Sequence, residues 1–167
     1  PSWGHMIENG ATTLWELWQK REGPSMNSHN HPMFGSVGSW LYKALGGIEL
    51  AGDAAGFEKI LVQPRMVRDL MYAAASTRTV RGDVACAWSR TDQSVRCEVT
   101  VPVGSEAEVR LPRFNLLDVV ITEGGVPVWK GDAFLPGADG VAAVKATEGG
   151  FTITVGSGRY VFELGGK

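Results

Sequence analysis

The spacing of apolar residues changes once along this chain, and no other feature constrains the fold as much. Phe34, Val37, Leu41, Ala44, Leu45 and Ile48 recur at intervals of three and four. That spacing predicts an amphipathic helix over 34–46, with Pro32 suited to its first turn and Gly46-Gly47 to its end. Beyond Phe57 the period becomes two, the signature of half-buried strands. A chain that changes period in this way reads as α+β, a short N-terminal helical segment followed by an antiparallel β-sandwich. Glu49 to Gly56, with Asp53 and two glycines, reads as the linker, which places the junction near residue 54.

In the second half, Val84 to Ser89 and Val95 to Val101 alternate about Asp92-Gln93. Pairing about that centre sets Trp88 opposite Cys97, Cys86 opposite Val99 and Val84 opposite Val101 on one apolar face, with Arg96, Glu98 and Thr100 on the wet face. Cys86 and Cys97 become diagonal neighbours in a core, and free thiols fit better than a bridge. Further strands are expected at Ala107-Val109-Leu111, at Val119 to Thr122, at Phe151-Ile153-Val155 and at Tyr160-Phe162-Leu164. Twenty-two glycines and eight prolines supply the turns a sandwich of short strands needs.

At the other end, Ser2 is suited to cap a short helix from Trp3 to Asn9, with Gly10 in the left-handed closing position. A second helix is expected to start near Thr13, and residues 22 to 32, EGPSMNSHNHP, read as a polar loop. The chain opens Pro1-Ser2-Trp3-Gly4 without an initiator Met, which suggests a piece of a longer protein.

Charge bounds the function. The net charge is −2 and the basic residues are scattered, so no cationic stripe for nucleic acid is expected. No apolar run approaches the ~20 residues that span a bilayer, and no charged start followed by an apolar stretch marks a targeting segment. A soluble chain of open localisation, with neither a nucleic-acid nor a membrane partner, is expected. Two cysteines are too few to mark a secreted disulfide scaffold.

The chemistry turns on GATTLWELW, residues 10–18, where one acid, Glu16, stands between Trp15 and Trp18. Thr13-Leu14-Trp15-Glu16 fits a capping box, which explains the spacing by structure alone. Indole faces are also the usual platforms for sugar rings, so the same segment suits a carboxylate at a sugar site. His31, at the start of the 34–46 helix, is either a satisfied loop histidine or a functional one. The pair His29 and His31 without a cysteine or carboxylate triad is not a zinc signature, and Gly35-Ser36-Val37-Gly38 lacks the spacing of a nucleophile elbow. Its glycines suit close helix packing.

Taken in order, PSWGHMIENGATTLWELW (1–18), MNSHNHPMFGSVGSWLYKALGGI (26–48), GFEKILVQP (56–64) and VTVPVGSEAEVRLP (99–112) resemble the C-terminal end of the bacterial-type α-L-rhamnosidases, which are inverting glycoside hydrolases. The likeness extends to GGVPVWKG and VGSGRYVFEL. It implies that residues 1–54 are the last helices of an (α/α)6 catalytic barrel and 55–167 a C-terminal β-sandwich domain. It implies further that Glu16 is the general base, that Asn30 and His31 contact the sugar or support the base, and that Trp15 walls the pocket. The family's general acid lies upstream of the Glu16 motif, so the chain by itself is expected to be inactive, with the remainder of the barrel and L-rhamnose-containing glycosides as its partners. No cofactor is called for, because hydrolysis of this type uses carboxyls and water. The competing reading is a non-catalytic carbohydrate-binding or structural β-sandwich module, which needs exposed aromatics where the strand period turns Trp88, Phe151, Tyr160 and Phe162 inward.

Overall fold

The computed structural model describes residues 2–52, 54–67 and 69–167. The chain divides into two compact units, Pro1–Leu41 and Tyr42–Lys167, a division that falls earlier than the junction expected near residue 54.

The first unit opens with helix α1 (Trp3–Glu8). The Ser2 hydroxyl caps it, accepting the His5 N–H at 3.0 Å, and Gly10 closes it at φ 79°, as expected of a residue without a Cβ. No helix follows at Thr13: residues 11–22 run as irregular chain. The capping box is therefore not made. Thr13 donates its hydroxyl to the His29 carbonyl instead, and the Glu16 N–H bonds the Ser28 carbonyl at 2.8 Å. The 26–31 loop takes up backbone groups that a helix would have satisfied internally, and this tertiary pairing overrides a segment that is otherwise rich in helix formers.

The helical pattern from Pro32 is observed, but with uneven pitch. A 3₁₀ turn over Pro32–Ser36, with Pro32 at its start, leads into α2 (Val37–Trp40) and a π-helical turn over Leu41–Leu45. Gly35, Ser36, Gly38 and Ser39 favour a regular α-helix too weakly to hold one pitch. Gly35 does permit close packing, since a Cβ there would lie 3.0 Å from Leu14 Cδ1, whereas Gly38 faces open space.

In the second unit two sheets close on one apolar core. The strands are β1 (Ile48–Leu50), β2 (Lys59–Val62), β3 (Tyr72–Thr79), β4 (Gly82–Arg90), β5 (Ser94–Val101), β6 (Glu106–Pro112), β7 (Val120–Glu123), β8 (Val126–Lys130), β9 (Ala133–Phe134), β10 (Val141–Thr147), β11 (Gly150–Val155) and β12 (Gly158–Gly165). One sheet runs β1-β2-β6-β11-β10 and the other β3-β4-β5-β12-β7-β8-β9. The pairing is antiparallel except between β2 and β6. The fold is thus a short helical segment followed by an antiparallel β-sandwich.

The β4–β5 hairpin has the expected register, with Cys86 opposite Val99 and Trp88 opposite Cys97. Both cysteines are buried and free, their sulfurs 3.9 Å apart. Trp88, Phe151, Tyr160 and Phe162 all face the core. β1 occupies the front of the segment read as linker, and Ile48 belongs to the sandwich core. Asp53, from the same segment, lies outside the described residues. Gly47, at φ 71°, sits so close to Pro64 that a Cβ would overlap its backbone nitrogen. The last helical carbonyls are taken within the same unit: Ala44 O accepts the Arg65 N–H and Leu45 O the Trp88 indole N–H, each at 2.7 Å.

Candidate functional site

The residues singled out by sequence lie in the first unit, where the 26–31 loop is stapled alongside the 13–21 segment. The His31 N–H bonds the Leu14 carbonyl at 2.8 Å, Thr13 bonds His29, and the Arg21 N–H bonds Asn27 Oδ1 at 3.1 Å. Between these ties Glu16 and Ser28 bond reciprocally: Glu16 N–H to the Ser28 carbonyl at 2.8 Å, and Ser28 N–H to Glu16 Oε2 at 3.0 Å. Glu16 is half-buried, its carboxylate fixed through one oxygen on a backbone donor.

Asn30 is exposed, and its N–H is held by the Ser28 hydroxyl at 3.3 Å. His31 is the residue before Pro32 at the head of the 3₁₀ turn, half-buried, with no side-chain capping bond. The staples therefore bring the chain segments of Glu16, Asn30 and His31 together. Trp15 is only 2% exposed and its ring stacks on His29, centroids 5.1 Å apart. The neighbouring indoles pack on one another: Trp18 stacks on Phe34 at 4.1 Å, Trp3 meets Trp18 edge-on at 5.5 Å, and Trp3 Nε1 donates to the Phe34 carbonyl. Trp3 and Trp18 thus fasten α1 and the 3₁₀ turn to the strap between them.

Sequence reasoning missed Ser28, whose backbone holds Glu16, and Asn27, whose side chain bonds Arg21 and Ser28. A buried asparagine and a backbone N–H leave no signature in spacing, because their role arises only when the loop folds back. No cluster of His, Cys, Asp and Glu suited to a metal ion occurs among the described residues. A hollow of about 740 Å³ lies on the outer face of the seven-stranded sheet. Its Arg96 is tied to Glu163 at 2.6 Å and Glu98 at 3.1 Å, an ion-pair cluster on the sheet surface. No helix among the described residues is long and apolar enough to cross a membrane.

Comparison with known proteins places this helical segment and β-sandwich with the glycosidases. The bacterial α-L-rhamnosidase 6 hairpin glycosidase domain matches residues 1–45 and the bacterial α-L-rhamnosidase C-terminal domain residues 47–125. The chain belongs to the bacterial α-L-rhamnosidase family. An α-L-rhamnosidase of Streptomyces avermitilis is 32% identical over 161 residues, 93% of this chain and 15% of that protein. One of Formosa agariphila is 38% identical over 121 residues, 69% of this chain and 13% of that protein. The solved α-L-rhamnosidase of Dictyoglumus thermophilum superposes with a TM-score of 0.84 at 38% identity, over 99% of this chain and 17% of that one. The Streptomyces avermitilis enzyme, solved with L-rhamnose, gives 0.74 at 30% identity, over 98% and 15%. The chain spans about 15% of the length of the first of these relatives.

Proposed function

We propose that this chain is the C-terminal part of an α-L-rhamnosidase that hydrolyses terminal α-L-rhamnosides with inversion, and that Glu16 is its general base. In that reading Glu16 takes a proton from a water molecule as the water oxygen attacks the anomeric carbon. The glycosidic C–O bond breaks on the opposite face, and an acid from outside these 167 residues protonates the leaving oxygen. The two carboxyls then stand roughly 6.5–9.5 Å apart, leaving room for the water. Asn30 and His31 contact the sugar or support the base, and Trp15 backs the pocket from behind. The helical segment is the end of the catalytic barrel, and the strands form the C-terminal β-sandwich domain.

One observation carries the reading: within the segment matched to the glycosidase domain, Glu16 is a half-buried carboxylate held by a single backbone donor, beside the loop that bears Asn30 and His31. A carboxylate anchored by one oxygen keeps the other for proton transfer. The binding-module alternative has less support: Trp88, Phe151, Tyr160 and Phe162 are at most 4% exposed, and the sandwich's exposed aromatics, Tyr72 and Phe114, form no aromatic pair among the described residues.

The test is Glu16→Gln in a rhamnosidase polypeptide carrying this chain. Turnover should fall by about 10²–10⁴, the usual contribution of a positioned base, while the folded protein is retained. NMR of the first product formed should show β-L-rhamnose. Undiminished turnover would remove Glu16 from the mechanism, and an α-product would remove inversion.

A further inference from the structure

Asn27 is buried at 6% exposure, in a unit whose other buried residues, among those described, are Met6 and Trp15. It lies in no helix or strand, and both sides of its amide are hydrogen-bonded. Its Oδ1 accepts the Arg21 N–H at 3.1 Å, and its Nδ2 donates, at a longer 3.4 Å, to the Ser28 carbonyl. An amide can meet a donor on one side and an acceptor on the other, which an apolar residue of the same size cannot. The Ser28 carbonyl also receives the Glu16 N–H, and the N–H of the same residue reaches Glu16 Oε2.

From this chain of bonds, and resting on the reading of Glu16 as base, we infer that Asn27 is a positioning residue for the base, acting through Ser28. By fixing the Ser28 residue it keeps an N–H on Oε2, so that Oε1, which meets no donor among the described residues, is the oxygen that takes the proton from water. Asn27 itself does not touch the substrate. Its effect belongs to the orientation of the carboxylate, where a displacement of about 1 Å costs about a hundredfold in rate.

The experiment measures Asn27→Ala, Glu16→Gln and the double variant in a rhamnosidase polypeptide carrying this chain, on a rhamnoside with a nitrophenolate leaving group and on a rhamnosyl disaccharide. Near-ultraviolet circular dichroism normalises each rate to folded protein. Asn27→Ala should lower kcat about ten- to hundredfold on both substrates, because a good leaving group relieves the acid and not the base. KM should stay within about twofold, and the double variant should be no slower than Glu16→Gln, since residues acting as one unit do not add. Should Asn27→Ala not fold, Asn27→Asp is measured instead; it retains the acceptor for Arg21, lacks the donor to Ser28, and should lose kcat in the same way. The inference is overturned if kcat stays within about twofold, if the loss falls on KM alone, or if the Asn27 factor adds to that of Glu16→Gln. Full turnover in Glu16→Gln overturns the base reading itself, whereas an inactive Glu16→Gln beside a fully active Asn27→Ala overturns only the role of Asn27.

Discussion

His29 Nε2 is buried without a hydrogen-bond partner among the described residues, while its ring stacks on Trp15. The stacking is an asset and the orphaned nitrogen a cost, so a ring without the nitrogen should serve better. His29→Phe is expected to raise the urea midpoint, by an amount worth about 1 kcal/mol; a lower midpoint would mean that the nitrogen has a use. In the sandwich, two buried acids hold their protons above their ordinary values: Cys97 above 9.0, through its hydrogen bond with Cys86 and then burial, and Tyr160 above 10.0, through burial and then the charge of Glu123. Their charged forms are the deprotonated ones, so the unfolded chain releases these protons first. Their contribution to stability is whole below the ordinary values and is lost as pH rises through the folded ones. The urea midpoint of the sandwich should therefore fall as pH climbs past 9 and again past 10, and Tyr160→Phe should flatten the second fall. A midpoint that rose across this window would refute the assignment.

The passage from helical turn to β1 depends on two glycines. Gly46 admits no Cβ, since one would lie 2.5 Å from that of Ala75, and Gly47 combines a left-handed φ of 71° with contact against Pro64. Gly52, at φ 52°, faces open space. Gly52→Ala should thus cost only the left-handed penalty, about 1–2 kcal/mol. Gly47→Ala should cost that and the displacement of the Pro64 backbone as well, roughly 3 kcal/mol or more in all. Denaturant titration of the two variants decides: equal losses would mean that the close approach to Pro64 is not felt. The same junction explains why the helical pattern stops where it does, for Trp88 and Arg65 bind the carbonyls that a further turn would have used.

The two units differ in how they are held. The second has a continuous core from Ile48 to Leu164, in which Phe162, Ile60 and Ile153 are fully buried. Among the described residues of the first, only Met6, Trp15 and Asn27 are buried, and Ile7, Met33 and Trp40 are more than half exposed. Local opening follows buried apolar contact. Amide hydrogen exchange on this chain should find β5, β11 and β12 slowest and the amides of residues 3–31 orders of magnitude faster. Comparable protection in both would show that the staples of the first unit hold more than its burial indicates.

The sequence by itself determined the sandwich, because a period of two over β5, β11 and β12 allows one inward face and burial of that face has no alternative once register is set. It also determined the Ser2 cap, the Gly10 closure and the pairing of Trp88 with Cys97, each a local or cross-strand rule. It could not show β3, whose Ala-Ala-Ala-Ser carries little strand preference, nor β1, whose three residues read as linker until β2 pairs with them. Nor could it show what Thr13 and Glu16 do. Their spacing satisfied a capping box, yet the backbone groups at stake can be satisfied either within a helix or by a loop twelve to sixteen residues away. Only the tertiary structure decides between the two, because hydrogen bonds exchanged between equal donors and acceptors differ little in energy, and the packing of Trp15 on His29 and of Trp18 on Phe34 tips the balance towards the loop.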